Sequence, residues 1–322
     1  MNTLSFLNNN FLLLILSGLS LFLFSLDQIK FNLNNLFISK LKKIISISVN
    51  TTLKSFLVGL IVSACIQSSS GTTAIAISLL SSNYIKPKNC LGIIIGANLG
   101  TCLTTFITAI NINNISLIIL IISFITYIII YKYRKITILF IYIGLMLLGL
   151  DILNIGFNNI INNNYIYNII KTSQESTLLS VLFGIFSTAI IQSSSGIIGI
   201  VENMYDSNLI NLSSSISIML GANIGTTLTG YLATINTSNN TKTIINRNLL
   251  FNIIGVFLFI LFLKPFIIYI NNIQNKYFTN NLKLSIAYAH FIFNLITVIL
   301  AYIFFNVLTI NINKKEWKPT LS

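Results

Sequence analysis

The sequence predicts an all-α membrane protein of two inverted-topology repeats, each with a re-entrant helical hairpin and a broken helix, plus one extra C-terminal span. Three observations lead there. First, 54% of the 322 residues are hydrophobic and only 8% are charged, with a mean hydropathy of +0.85. Soluble domains carry about 25% charged residues, and a soluble core would leave apolar stretches of about 20 residues uncovered. Second, Gln67-Ser68-Ser69-Ser70-Gly71 returns 125 positions later as Gln192-Ser193-Ser194-Ser195-Gly196. Third, Gly96-Ala97-Asn98-Leu99-Gly100-Thr101 returns at the same offset as Gly221-Ala222-Asn223-Ile224-Gly225-Thr226. Polar, glycine-bearing motifs at matching places in two apolar halves are the pattern of a secondary transporter with a midplane site.

The first span covers Leu4 to Leu26 and ends at Asp27. No Lys or Arg precedes it, so it reads as a retained span and not as a cleaved signal peptide. In Asn32 to Asn50, Lys40, Lys42 and Lys43 alternate with apolar residues at helical spacing, which predicts a helix lying in the membrane interface. Leu53 to Leu80 is interrupted by the first serine motif. Its arms of about 12 to 14 residues are too short for a ~30 Å hydrocarbon layer at 1.5 Å per residue, so a hairpin is expected that enters and leaves on one side. Lys86-Pro87-Lys88 closes it. Cys90 to Ile110 can cross, and Gly92, Gly96 and Gly100 around Asn98 predict a break in it. Ile115 to Tyr131 crosses next, capped by Lys132, Arg134 and Lys135.

The second copy repeats this order. Ile136 to Ile155 crosses, with Gly149-Leu150-Asp151 matching Ser25-Leu26-Asp27 at an offset of 124. An interfacial stretch (Phe157 to Lys171), a hairpin (Ser176 to Tyr205), a broken span (Leu212 to Ile235) and a crossing (Leu249 to Ile270) follow. Leu284 to Ile310 is an unpaired last span, before a basic tail in which Trp317 is expected to anchor at the interface. The units are therefore repeat 1 (residues 1–135), inverted repeat 2 (136–275) and the last span with its tail (276–322), seven crossings in all.

With the Gln67 hairpin on the cytoplasmic side, 15 of the 19 Lys and Arg fall there, Lys30 among them. That is a strong positive-inside bias. An odd number of crossings per repeat turns the second copy over, so the two hairpins enter from opposite sides and their tips can meet.

Backbone breaks at membrane depth are tolerated only where protein or a wet cavity satisfies them. Amides at the starts of half-helices attract anions. Free carbonyls and the oxygens of Gln, Asn, Ser and Thr suit a cation such as sodium. No Lys or Arg is expected at the centre, because a fixed cation would hold an anion tightly. Moving one negative charge against an inside-negative potential costs about 2.3 kcal/mol per 100 mV, which co-bound sodium offsets.

Other classes fit less well. The net charge of +13 is explained by membrane topology and not by nucleic acid. Cys65, Cys90 and Cys102 form neither a disulfide framework nor a metal motif. An intramembrane serine hydrolase needs a base near its serine, yet the single His, His290, sits in the last span, and the Gly-x-Ser-x-Gly elbow is missing. No enzyme activity and no cofactor beyond coupling ions is expected. Glu202 and Asp206 are expected to mark the outer hairpin exit, Asp27 and Asp151 to be solvated helix ends, and His290 with Asn294 to hydrogen-bond across the bundle.

The doubled Gln-Ser-Ser-Ser and Gly-Ala-Asn-Leu/Ile-Gly-Thr set resembles the type II sodium–phosphate cotransporter family, including its bacterial branch. Arg247-Asn248-Leu249-Leu250-Phe251-Asn252 and Ala289-His290-Phe291-Ile292-Phe293-Asn294 resemble further pieces of that family. The resemblance implies sodium-coupled transport of inorganic phosphate across a bacterial cytoplasmic membrane, with Na+, phosphate and lipid as partners. It implies a site lined by Gln67, Ser68, Ser69, Ser70, Gln192, Ser193, Ser194 and Ser195, faced by Asn98, Thr101, Asn223, Thr226 and Thr227, with Thr72 and Thr73 beside the first motif. Serines and amides suit phosphate; Gln67, Asn98, Gln192, Asn223 and Thr226 suit sodium. A phosphate exporter, another small-oxyanion carrier of the same fold, and a pore-type channel stay open. Two departures stand out: Cys102 replaces the hydroxyl of Thr227, and Gly196-Ile197-Ile198 lacks the hydroxyls of Gly71-Thr72-Thr73. Bacterial relatives often carry a soluble regulatory domain after the last span; here that layer is expected to be absent or separate.

Overall fold

The computed structural model describes residues 11–48, 51–110, 114–161, 163–174, 176–233 and 239–309, almost all of them helical. The expected span ends at Leu4, Asn50, Ile235 and Ile310, and Trp317, lie outside the described residues. Five described helical segments are long and apolar enough to cross a membrane: Phe11–Phe37, Pro87–Thr108, Tyr131–Ile161, Thr241–Leu261 and Lys283–Ile303. The chain is an all-α, multi-pass membrane protein.

The first helix, α1 (Phe11–Ser48), corrects the expected boundary at Asp27. It runs without interruption through Asp27 and Lys30 into the stretch assigned to the interface. Then come α2 (Thr52–Ile66) and α3 (Ser69–Ser81), joined at Gln67-Ser68, and α4 (Pro87–Gly100) with its short continuation α5 (Cys102–Thr108). Next, α6 (Ile115–Ile129) exposes Ile121, Ile122, Phe124 and Ile128, an apolar face of the kind that suits lipid. The second copy comprises α7 (Arg134–Ile161), α8 (Asn164–Ser173), α9 (Thr177–Ile191), α10 (Ser194–Asp206), α11 (Leu212–Ala233), α12 (Asn239–Leu261) and α13 (Leu263–Tyr277). The chain ends in α14 (Lys283–Ile303) and α15 (Phe305–Leu308).

Two of the expected breaks differ from the structure. α4 and α5 meet at Thr101, whose φ of −68° and ψ of −18° are helical, so the first joint is a local irregularity and not an unwound segment. α11 is continuous from Leu212 to Ala233. The expected crossing Leu249 to Ile270 is instead α12, which ends at Leu261, followed by α13.

The glycines of these motifs pack against neighbouring helices and do not break their own. A Cβ on Gly96 would lie 2.1 Å from the carbonyl oxygen of Phe56 in α2, and one on Gly221 would lie 2.1 Å from that of Val181 in α9. Small residues spaced by four let two membrane helices touch backbone to backbone. The two contacts are equivalent at an offset of 125, so α2 seats on α4 as α9 seats on α11. One apolar cluster joins α2, α3 and α4 to Ile244, Ile245 and Phe251 of α12, another joins α10, α11 and α13 to Phe293 of α14, and α1 packs along α7 around Phe22, Leu26, Met146 and Leu150.

Candidate substrate site

Each serine motif makes the same joint. Gln67 (φ 51°) and Gln192 (φ 58°) end α2 and α9 in the left-handed region, and the next residue starts a new helix. Ser68 Oγ accepts from Gly71 N–H at 3.0 Å, and Ser193 Oγ accepts from Gly196 N–H at 3.2 Å. A serine at the N-cap satisfies one orphan amide of the first turn, leaving the earlier amides facing forward.

The two joints meet. Gln67, Ser68, Ser69, Ser70, Gln192, Ser193, Ser194 and Ser195 line one small cavity of about 10 Å³, with Thr101, Thr226 and Lys30. That volume is room for a single water. It adjoins a vestibule of about 400 Å³ that shares Ser69, Ser70, Gln192 and Thr226 and adds Thr73, Ser78, Asn98, Thr227, Ile245 and Asn248. Thr72 and Asn223 line neither cavity. Thr72 Oγ1 donates to Ser68 O at 2.9 Å, and Asn223 Nδ2 donates to Met219 O at 2.9 Å, within their own helices.

Lys30 corrects the expectation of a site without a basic residue. Its Nζ donates to Ser193 Oγ at 2.9 Å and stands 3.6 Å from Asp27 Oδ1. Asn248 and Asn252 of α12 were not singled out as site residues either. Asn252 Oδ1 accepts from Asn98 Nδ2 at 3.3 Å, and Asn248 Oδ1 is buried without a partner among the described residues. Their place in Arg247-Asn248-Leu249-Leu250-Phe251-Asn252 was the available signal.

Of the two helices that start at the serine motifs, α3 lines the vestibule and α10 does not. Ser70, Ala74 and Ser78 are exposed along it, whereas their counterparts at an offset of 125, Ser195, Gly199 and Asn203, are buried. Polar contacts seal the α10 side. Thr108 Oγ1 donates to Glu202 Oε2 at 2.7 Å, and Lys283 Nζ donates to Asn203 Oδ1 at 2.8 Å and lies 3.9 Å from Asp206 Oδ2. Glu202 is fully buried, which corrects its reading as an exit marker. Asp151 is exposed, but its Oδ2 accepts from Ser116 Oγ at 2.6 Å. His290 and Asn294 do work across the bundle: Asn294 Nδ2 reaches Cys102 Sγ at 3.5 Å, and His290 Nδ1 lies 3.4 Å from Thr105 Oγ1.

Two helix starts, hydroxyls, amide groups and one ammonium around a shared cavity in a multi-pass helical bundle define a membrane protein of the transporter class. The family model described as Na+/Pi-cotransporter matches residues 21–155 and again 156–279. The chain belongs to the Na+/Pi-cotransporter family. It is 25% identical over 284 residues to "Uncharacterized protein YqeW" of Bacillus subtilis, covering 87% of this chain and 90% of that protein. It is 23% identical over 291 residues to proteins of Salmonella typhimurium and Escherichia coli named "Putative inorganic phosphate export protein YjbB". That alignment covers 88% of this chain, which spans about half of their length (52%). No solved structure matches.

Proposed function

We propose that the protein is a sodium-coupled carrier of inorganic phosphate in a bacterial cytoplasmic membrane, working by alternating access around the joined serine tips. The observation that carries the reading is the convergence of the α3 and α10 starts on one cavity. Each helix start presents roughly half a positive charge, so two together suit an oxyanion held by serine hydroxyls and backbone amides. The proposed sodium ligands are the side-chain oxygens of Gln67, Asn98, Gln192 and Thr226, which line the two cavities, together with that of Asn223.

In this reading the two copies are inverted in the membrane and α2–α3 and α9–α10 are re-entrant hairpins. The vestibule along α3 is then the cytoplasmic path, and the contacts at Glu202 and Lys283 close the outer one. A one-water cavity is too small for a tetrahedral oxyanion, so the tips part to admit it from the vestibule. Direction follows the gradients, so in this reading one site serves export, the direction in the YjbB name, as well as sodium-driven uptake.

The test is flux of radiolabelled phosphate into proteoliposomes, with inward or outward gradients and with sodium replaced by potassium or choline. Flux that needs sodium and saturates with phosphate is expected. Equal rates in the three salts rule out symport, unsaturable flux indicates a pore, and rates matching protein-free liposomes sink the carrier.

A further inference from the structure

Resting on that reading, we propose that Lys30 is a fixed counter-charge for the carried anion, so that this carrier binds its substrate with a resident ammonium where cations alone would otherwise neutralise it. Lys30 lies on α1, remote in sequence from both serine motifs, and its head group enters the tip cavity. Ser193 Oγ accepts from Lys30 and from Gly196 N–H and stands 3.4 Å from Ser195 Oγ. With both of its lone pairs engaged, the Ser193 hydroxyl proton is directed to Ser195. Among the described residues Ser193 engages one of the three ammonium protons and Asp27 pairs with the ammonium at 3.6 Å, which leaves at least one proton for a ligand in the cavity. Asp27 is 76% exposed, so solvent screens its pull on the ammonium.

The placement is one-sided. At the offset of 124 that relates Asp27 to Asp151, Lys30 corresponds to Asn154, which is uncharged. Among the described residues, the equivalent capping serine, Ser68, accepts only from Gly71. One ammonium and two helix starts of roughly half a charge each bring at most about two positive charges to the cavity, part of which Asp27 offsets, and the balance suits an anion.

The experiment compares the full-length wild type with Lys30→Arg, Lys30→Gln and Lys30→Met. It reads phosphate KM at several sodium concentrations in proteoliposomes. It also reads thermal stabilisation of the purified protein by phosphate, sulfate and arsenate. Loss of a charged hydrogen bond is worth about tenfold or more in affinity. Lys30→Gln and Lys30→Met are therefore expected to raise KM about tenfold and to steepen the sodium dependence, while Lys30→Arg stays within about threefold of the wild type. Lys30→Gln keeps a donor for Ser193, so wild-type kinetics in that variant overturn the inference and leave a merely structural hydrogen bond. No stabilisation of the wild type by any of the three anions overturns it as well. A wild type that carries no phosphate, yet is stabilised by sulfate only while residue 30 is cationic, sinks the phosphate reading and keeps the counter-charge.

Discussion

Thr108 Oγ1 donates a 2.7 Å hydrogen bond to Oε2 of Glu202, a carboxylate with no exposed surface whose Oε1 has no partner among the described residues. The hydroxyl is therefore the donor that makes burial of this group tolerable, with Lys283 acting on it through space. Thr108→Val, which removes the donor and keeps the shape, is expected to cost about 1–3 kcal/mol. Adding Glu202→Gln removes the carboxyl group that the hydroxyl serves, so the double variant should recover part of the loss. Thermal unfolding in detergent measures both. Additive losses would mean that the two residues do not depend on each other.

Gly96 and Gly230 should respond oppositely to a methyl group. A Cβ at Gly96 would stand 2.1 Å from the Phe56 carbonyl oxygen, while one at Gly230 would meet nothing within 4 Å. Gly96→Ala is expected to lose most of the monodisperse protein, because α2 must lift off α4. Gly230→Ala, where alanine has the better helix propensity by about 1 kcal/mol, should express at least as well as the wild type. Size-exclusion profiles of the two variants decide the matter.

The left-handed joint at Gln67 lets backbone and side chain be tested separately. Glycine adopts φ 51° without a Cβ penalty, whereas alanine there is strained. Gln67→Gly should therefore match or exceed the stability of Gln67→Ala. Both should abolish phosphate flux if the amide oxygen is a ligand. Flux retained in the glycine variant would show that only the turn matters.

The serine motifs were legible because their spacing repeats and their chemistry is local. A Gln ending one helix and a Ser capping the next are set by neighbours three or four residues away. The paths of α1 and α11 were not. Asp27 and Lys30 look like the end of a span, yet the helix runs on through them, and the partner that takes up the Lys30 head group, Ser193, lies 163 residues away. Gly221 and Gly225 look like breakers in isolation. In an apolar bundle they are the seat for α9, and only the partner backbone reveals that. Glu202 was misplaced for the same reason, since its donor lies on α5 in the other copy.

Access from one side only is the last expectation, and native cysteines report it poorly because Cys102 is 2% exposed. Ser78 on α3 is exposed to the vestibule, whereas Ile198 on α10, the counterpart of Thr73, is fully buried. In a Cys65→Ser background, Ser78→Cys should react with a membrane-impermeant thiol reagent from the cytoplasmic face alone. Ile198→Cys should stay unlabelled from either face in this state. Breaking the outer closure by Lys283→Ala should shift that balance, because the Asn203 and Asp206 contacts that hold α10 against α14 are lost. Labelling of Ile198→Cys from the outer face should then rise, with a matching fall at Ser78→Cys. If instead both sites label equally in the parent protein, the vestibule is a pore and not one half of a cycle. If Lys283→Ala leaves both rates unchanged, the polar contacts around Glu202 hold the fold together and do not gate it.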